Sequence, residues 1–522
     1  MRNSYLRLTL FIFLSTGSIL SAKAANDNLQ ELIVTTKQGQ LRGITENGIC
    51  VFKGIRYAKA PVGDLRFRAP QPAENWTGVK NAFEFGAIAP QSSSSLGDNG
   101  PQSEDCLFLN IWSPAADGKK RPVMFWIHGG GFVIGAGSSD LYYGSNLAKK
   151  GDVVIVTINY RLGPLGFLYF KNNKNFESNL GIRDQIAALK WVKENIATFG
   201  GDPEQVTIFG ESAGGTSVQT LLASHAATGL FTKAISESGP PAILWTAAIA
   251  DSITRKYMSI LRLNPDNIQA LKNLPVDTLK AAQDILEKYM IANMNEKVFS
   301  PTIDGEILTD NIFKCMKPEP GNNVALMIGC NRNESTMFSS KRLKMTPRNS
   351  KQLEQYFALV TSAESRQKVV AAYDKYPHKS AVLDILTDAI FRIPAIRIAE
   401  CRSSFAPVYM YRFDWTSFVL NLAGLRSFHG LEIPFVFGNS EGKLGGFLKI
   451  IATKKLAKRL TNEMQTAWLN FARYGNPNGT ATETWKPYSA TNRATMLFNK
   501  KSKPVQDLDE KQRVAWDGVS YY

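Results

Sequence analysis

The chain is poor in sulfur and in histidine, and both shortages narrow its chemistry. Five cysteines in 522 residues (Cys50, Cys106, Cys315, Cys330 and Cys401) include no C-x-x-C pair. That pattern excludes a disulfide-stapled scaffold and the usual zinc-finger spacing, and the odd count leaves at least one thiol free or intermolecular. Four histidines leave few candidates for imidazole chemistry, so elimination among them is practical. No apolar run reaches the roughly twenty residues of a spanning helix. Internal repeats, long low-complexity linkers, a G-x-x-x-x-G-K-[ST] loop and a spaced dinucleotide fingerprint are also missing, which argues against separable modules and nucleotide-dependent chemistry. No cofactor and no metal are expected.

What is present begins with bulk. At 44% hydrophobic residues the chain can bury a large core. Its N-terminus carries Arg2 and Arg7, an apolar stretch from Leu8 to Leu20 broken by Ser, Thr and Gly, and then Ala22-Lys23-Ala24. Basic start, short apolar run and small-x-small end together read as an export signal over residues 1–24. The expectation is an exported chain, periplasmic or secreted, with residues 25–522 forming a single domain and no membrane span. The formal charge is +16, and removing the signal lowers it by three. The densest basic cluster, Lys454, Lys455, Lys458 and Arg459, recurs at helical spacing; without a nucleic-acid motif it reads as a solvated face, and no nucleic-acid partner is expected.

Short β-rich runs recur at Val123–Ile127, Val153–Ile158, Val206–Phe209, Val324–Ile328 and Val408–Tyr411. Helical patterns lie between them; from Gly181 to Phe199, Ile182, Ile186, Leu189, Val192 and Ile196 fall on one face. Strands without polar alternation, separated by helices, predict a mainly parallel sheet covered on both sides. The fold class is α/β.

The strand at Val206–Phe209 runs into Gly210-Glu211-Ser212-Ala213-Gly214, and a helical pattern follows. A bare G-x-S-x-G recurs by chance too often to carry a function. In a strand-turn-helix context it predicts a nucleophile elbow, where the serine adopts an unusual backbone conformation that only small neighbours tolerate. The turn also sets the Ala213 amide at a helix N-terminus, where it can donate to a developing oxyanion. A second cluster, His128-Gly129-Gly130-Gly131-Phe132, follows the strand Val123–Ile127 and resembles an oxyanion segment, with Gly130 and Gly131 offering bare amides.

The base is found by elimination. His225 lies thirteen residues past the serine, roughly 20 Å along a continuing helix at about 1.5 Å per residue, out of reach. His128 belongs to the glycine turn, and His378 follows a helical pattern and reads as a surface residue. His429, in a loop after the strand Val408–Tyr411, stands where the last member of a Ser-acid-His set belongs. Glu334, shortly after the strand Val324–Ile328, is the candidate acid; Asp304, Asp310 and Asp388 read as structural.

Beyond these residues, "FKGIRYAKAPVGDLRFRAP", "SEDCLFLNIW", "VTINYRLGPLGF", "NLGIRDQIAALKWVKENIATFGGDPEQVTIFGESAGG" and "FHGLEIPFVFG" resemble successive motifs of the type B carboxylesterase/lipase family, the α/β-hydrolases that include cholinesterases, and the chain is closest in character to bacterial carboxylesterases. The resemblance implies an α/β-hydrolase fold with large insertions. It also implies a serine esterase with Ser212 as nucleophile, Glu334 as acid, His429 as base and oxyanion donors at Gly130, Gly131 and Ala213. Glu211 matches a family position beside the nucleophile, which implies an electrostatic role; stabilising the helix start is the alternative. Arg66 with Glu104, and Arg161 with Asp184, resemble family ion pairs that fix loops around the site. Ala89 stands where the family usually has the cysteine that pairs with the one at Cys106, and the segment between them has no tryptophan, unlike that of cholinesterases. Asn333 and Ser335 replace a common aspartate and glycine.

The function expected is hydrolysis of small-molecule carboxylic esters through an acyl-enzyme, with an amidase or a lipase as variants. The rival is a binding or adhesion protein on the same fold, against which the intact Ser212, Glu334 and His429 set argues.

Overall fold

A computed structural model describes residues 32–92, 100–170, 173, 175–241, 244–292, 298–316, 323–339, 345–439 and 451–519. The export-signal segment lies outside the described residues. Among these residues an eleven-stranded sheet runs, edge to edge, through Lys503–Val505, Thr495–Phe498, Val408–Phe413, Ala325–Asn331, Lys233–Glu237, Gly201–Glu211, Arg121–Ile127, Val154–Ile158, Phe108–Ser113, Ile49–Arg56 and Ile44–Glu46. The seven strands from Thr495–Phe498 to Val154–Ile158 are parallel. Antiparallel pairing is confined to the two flanks. A separate three-stranded sheet joins Ile33–Thr35, Gln40–Arg42 and Val79–Asn81.

The apolar runs are two-sided, as a covered parallel sheet requires. Along Arg121–Ile127, Val123, Phe125 and Ile127 enter one core and Met124 and Trp126 the other. The first core is completed by the helices Leu180–Asn195 and Ala213–Ala223, the second by Lys454–Tyr474 and Ile433–Phe437. In Leu180–Asn195 the buried stripe includes Ile182, Ile186, Leu189 and Val192. Each such side chain taken from water contributes about 1.5–3 kcal/mol. The backbone continues as a 3-10 turn through Phe199 and stops at Gly200, whose φ of 82° suits a residue without Cβ.

The strand Lys233–Glu237 carries a lysine, a serine and a glutamate and was not predicted by apolar periodicity. It nevertheless sits at the centre, beside the strand that leads to Ser212. Its buried Glu237 is accommodated because Trp468 Nε1 donates to it at 2.7 Å. Tertiary contact here overrides local propensity.

Both scaffold pairs form. Arg161 grips Asp184 through Nε at 2.8 Å and Nη2 at 2.6 Å, with both side chains buried. Arg66 pairs with Glu104 and also donates to the carbonyls of Lys272 and Leu274, tying those two loop segments to the one around residue 273. Cys50, Cys106 and Cys330 are free, and burial raises the Cys106 thiol well above its ordinary range. No described helix is long and apolar enough to cross a membrane.

Removing one partner of a fully buried ion pair strands the other charge at a cost of about 3–5 kcal/mol. Arg161→Met should therefore lower the urea-unfolding free energy by that amount. Arg255→Met, which removes exposed contacts to Asp251 and Asp266, should cost less than about 1 kcal/mol. Equal losses would contradict this ranking.

Candidate active site

The strand Gly201–Glu211 ends at Ser212, whose φ of 57° and ψ of −121° break directly into the helix Ala213–Ala223. A non-glycine residue there costs on the order of 1–3 kcal/mol and persists only where the surroundings impose it. They do so tightly. The Ser212 amide donates to the Glu237 carbonyl at 2.9 Å, and the Ser212 carbonyl accepts from the Thr216 amide at 2.9 Å. A Cβ on Gly214 would stand 2.0 Å from the Ile127 carbonyl oxygen, and one on Gly210 would meet the same oxygen at 2.6 Å. The two glycines of the motif thus let the elbow close against the end of the neighbouring strand.

That neighbouring strand, Arg121–Ile127, delivers the glycine turn to the same place. Gly130 and Gly131 have φ of 108° and 63°. A Cβ at Gly130 would lie 2.1 Å from the Ile134 carbonyl, whose own amide, with that of Val133, donates back to the Gly130 carbonyl. Gly129 has its missing Cβ position 3.1 Å from Ser212 Cβ, so the turn lies against the serine. Among the described residues, the Gly130 and Gly131 amides donate to no acceptor, and the Ala213 amide opens its helix unsatisfied. Gln91 clamps the loop, accepting from the Gly135 amide at 2.9 Å and donating to its carbonyl at 3.0 Å. His128 stacks on Tyr160 at 4.4 Å between ring centres, and burial lowers its pKa to about 4. It is a neutral structural ring at physiological pH.

His429 is buried between two phenylalanine rings, Phe338 and Phe391, with centroids 4.9 and 5.1 Å away. Its Nδ1 lies 2.6 Å from Glu334 Oε2. The other oxygen of Glu334 accepts from Ser238 Oγ and from the Asn331 amide, each at 2.6 Å. The sequence places Nε2 against the serine; the structure sets it 3.1 Å from Glu211 Oε1 instead. That approach is off the line of a hydrogen bond, and both atoms lack a hydrogen-bond partner among the described residues. No hydrogen bond joins Nε2 to Ser212 Oγ.

Two further carboxylates that sequence reasoning missed, Glu432 and Glu237, are buried around Glu334 and Glu211. Glu432 receives the Asn331 side-chain amide and lies 3.4 Å from Ser238 Oγ. Burial, with the charges of Glu211 and Glu334 next, pushes its carboxyl up to about 8. Burial and then the Glu334 charge likewise push Glu211 well above the carboxylate range. For Glu237, burial and Glu432 outweigh the opposing hydrogen bond from Trp468. The signal for Glu432 was its place three residues after His429, but no local pattern reports that a turn will face inward.

Ser212, Glu211, His429 and the three glycines line a cavity of about 890 Å³. Glu334 lies behind it, reached through His429. The other histidines stand apart: His225 is exposed in a 3-10 turn beyond the elbow helix, and His378 caps the helix Lys379–Thr387 at the surface. Asp388 pairs with Arg392 and Asp304 accepts the amides of residues 306–308, both structural.

A parallel sheet that brings a strained serine, a glycine turn and a carboxylate-held imidazole to one edge defines an α/β-hydrolase. The chain belongs to the carboxylesterase family, whose model matches residues 30–516. It is 40% identical to the para-nitrobenzyl esterase of Bacillus subtilis over 487 residues, 92% of this chain and 97% of that protein. It is 31% identical to the cholinesterase of Mus musculus, over 93% of this chain and 86% of that one. A solved PNB esterase superposes with a TM-score of 0.85 at 38% identity, covering 93% of this chain and 99% of the other. A Geobacillus stearothermophilus carboxylesterase gives 0.83, also at 38%, covering 93% and 100%. The protein is a carboxylic ester hydrolase that uses a serine.

Burial, with the charges of Glu211 and Glu334, raises the Glu432 carboxyl from its ordinary 4.5 to about 8 on folding. Between those values the unfolded chain binds fewer protons, so this contribution to stability is full below about pH 4.5 and fades as pH rises through about 8. The urea midpoint should fall over that range, and the fall should be shallower in Glu432→Gln. An unchanged slope would contradict the assignment.

Proposed function

We propose that Ser212 is the nucleophile, His429 the general base and then acid, and Glu334 the carboxylate that orients it. The observation that carries this reading is the His429–Glu334 hydrogen bond at the wall of the cavity that Ser212 also lines. Ser212 Oγ attacks the ester carbonyl as its proton passes to His429 Nε2. Glu334 holds the Nδ1 hydrogen, fixing the tautomer and stabilising the imidazolium. The amides of Gly130, Gly131 and Ala213 receive the oxyanion. Collapse expels the alcohol with the proton from His429, and water repeats the sequence to release the acid. Glu211 acts as a positioning residue, its carboxyl beside Nε2 keeping that nitrogen turned toward the cavity.

The cavity favours uncharged, apolar esters. Leu141, Phe338, Ile390, Phe391 and Ile433 line it, while Asp277, Asp284 and Glu287 against Lys280 make its far wall unfavourable to anions. Its volume lies toward the upper end of the roughly 300–1,000 Å³ that drug-sized ligands occupy, so bulky alcohol groups should fit. The N-terminal pattern supports export after removal of residues 1–24, to a periplasmic or secreted location, with 25–522 as one catalytic domain.

Ser212→Ala should lower kcat/KM for a chromogenic short-chain ester by about 10⁴-fold or more and abolish the pre-steady-state burst. A retained burst would remove Ser212 from its role. Profiling over acyl lengths and the matching anilides separates esterase from lipase and amidase: short and medium esters should turn over fastest.

A further inference from the structure

The strand ends that hold the active site also carry a surface that the reaction does not use. Ser212, Glu334 and His429 all follow the C-terminal ends of parallel strands. Two neighbouring strands end side by side at that edge, Phe413 paired with Phe498. The amides of Asp414 and Trp415 both donate to the Phe498 carbonyl, at 2.9 and 3.2 Å. From Trp415 the chain enters the short helix Phe418–Leu422; from Phe498 it enters Asn499-Lys500-Lys501. The helix Lys454–Tyr474 ends at the opposite edge, where Gly475 approaches Ala325, the first residue of its strand. Its N-terminus therefore returns to the active-site edge. There Arg459 donates to the Asn499 carbonyl at 3.1 Å and Ser502 donates to Glu463 at 2.6 Å, joining its first turns to the 499–502 turn.

The result is a rim with two properties. Lys454, Lys455, Lys458, Lys500, Lys501 and Lys503 are exposed. Among the described residues none of the six joins an ion pair with a carboxylate. On the other segment leaving the same strand ends, Phe418 and Leu422 are 81% and 80% exposed, the most exposed large apolar side chains of the described residues. They are held outward: Leu420 between them is buried, and Ser417 caps the helix by accepting from the Leu420 amide at 3.2 Å. Single exposed apolar residues need no explanation, but a pair on a capped helix at the same strand-end edge as six lysines without a carboxylate partner among the described residues does. Nucleic acid or an acidic protein would use the lysines and leave the apolar pair in water. An anionic bilayer satisfies both, phosphates facing lysines and acyl chains receiving the aromatic and aliphatic side chains.

We propose that this rim docks the protein reversibly on anionic phospholipid surfaces, Phe418 and Leu422 entering the headgroup boundary, and so brings the active-site edge to esters dissolved in the membrane. This goes beyond the proposed catalytic roles and is read by binding, so either can fail without the other.

The test is co-sedimentation of the full chain with phosphatidylcholine vesicles, with and without phosphatidylglycerol. Binding to the anionic vesicles should be at least about tenfold tighter than to neutral ones and weaken as salt rises from about 50 to 300 mM. Phe418→Ser/Leu422→Ser and Lys454→Glu/Lys455→Glu/Lys458→Glu should each weaken it about tenfold, with turnover of a soluble short-chain ester unchanged as the check on folding. Absence of vesicle binding, or binding indifferent to both variants, would overturn the proposal. So would a charge variant that loses binding while the apolar variant keeps it, an outcome that points to a soluble polyanion.

Discussion

The structure turns on a contact with no side chain in it: the Ile127 carbonyl lodged against Gly210 and Gly214. It locks two adjacent parallel strands together where each gives up its regular hydrogen bonding. One strand then turns through the glycines that present free amides, the other through a serine at φ 57°. The serine holds a conformation that costs energy, while the glycines reach positive φ without steric cost. Packed together, each supplies the surroundings that fix the other, and the Ser212 hydroxyl and the free amides share one frame. A methyl group at either glycine would separate them by more than catalysis tolerates.

Around that frame the protein buries an excess of acid. Glu211, Glu237, Glu334 and Glu432 lie within a few side chains of a single imidazole. Desolvation and mutual repulsion work against so many negative charges in one place, and the site answers unevenly. Glu334 has three hydrogen-bond partners, counting the imidazole. Glu211, Glu237 and Glu432 are pushed toward their protonated forms. Such uneven environments are how like groups acquire different tasks.

Much of this was legible in the sequence, for identifiable reasons. The apolar runs reported the central parallel strands because burial on both faces leaves a continuous hydrophobic string, and only their ends were short: Val206–Phe209 extends to Gly201–Glu211. The serine and the glycine turn were legible because special backbone demands special residues. His429 emerged because so few histidines compete. The central strand Lys233–Glu237 was not legible, its polar residues being satisfied by Trp468 and by Gln219 from distant segments. Nor were Glu432, Ser238 and Gln91, whose roles depend on which distant segments meet. The position of Nε2, near Glu211 and not bonded to Ser212, lies at the same level: chain order names the partners but not their geometry.

The most direct measurement is peptide mapping by mass spectrometry after treatment with a stoichiometric fluorophosphonate, which reacts only with an activated serine. One adduct per chain on the peptide bearing Ser212, absent when His429 is replaced by alanine, is the expected result. An adduct on another residue, or labelling of Ser212 indifferent to His429, would contradict the claim that the imidazole held by Glu334 activates this hydroxyl.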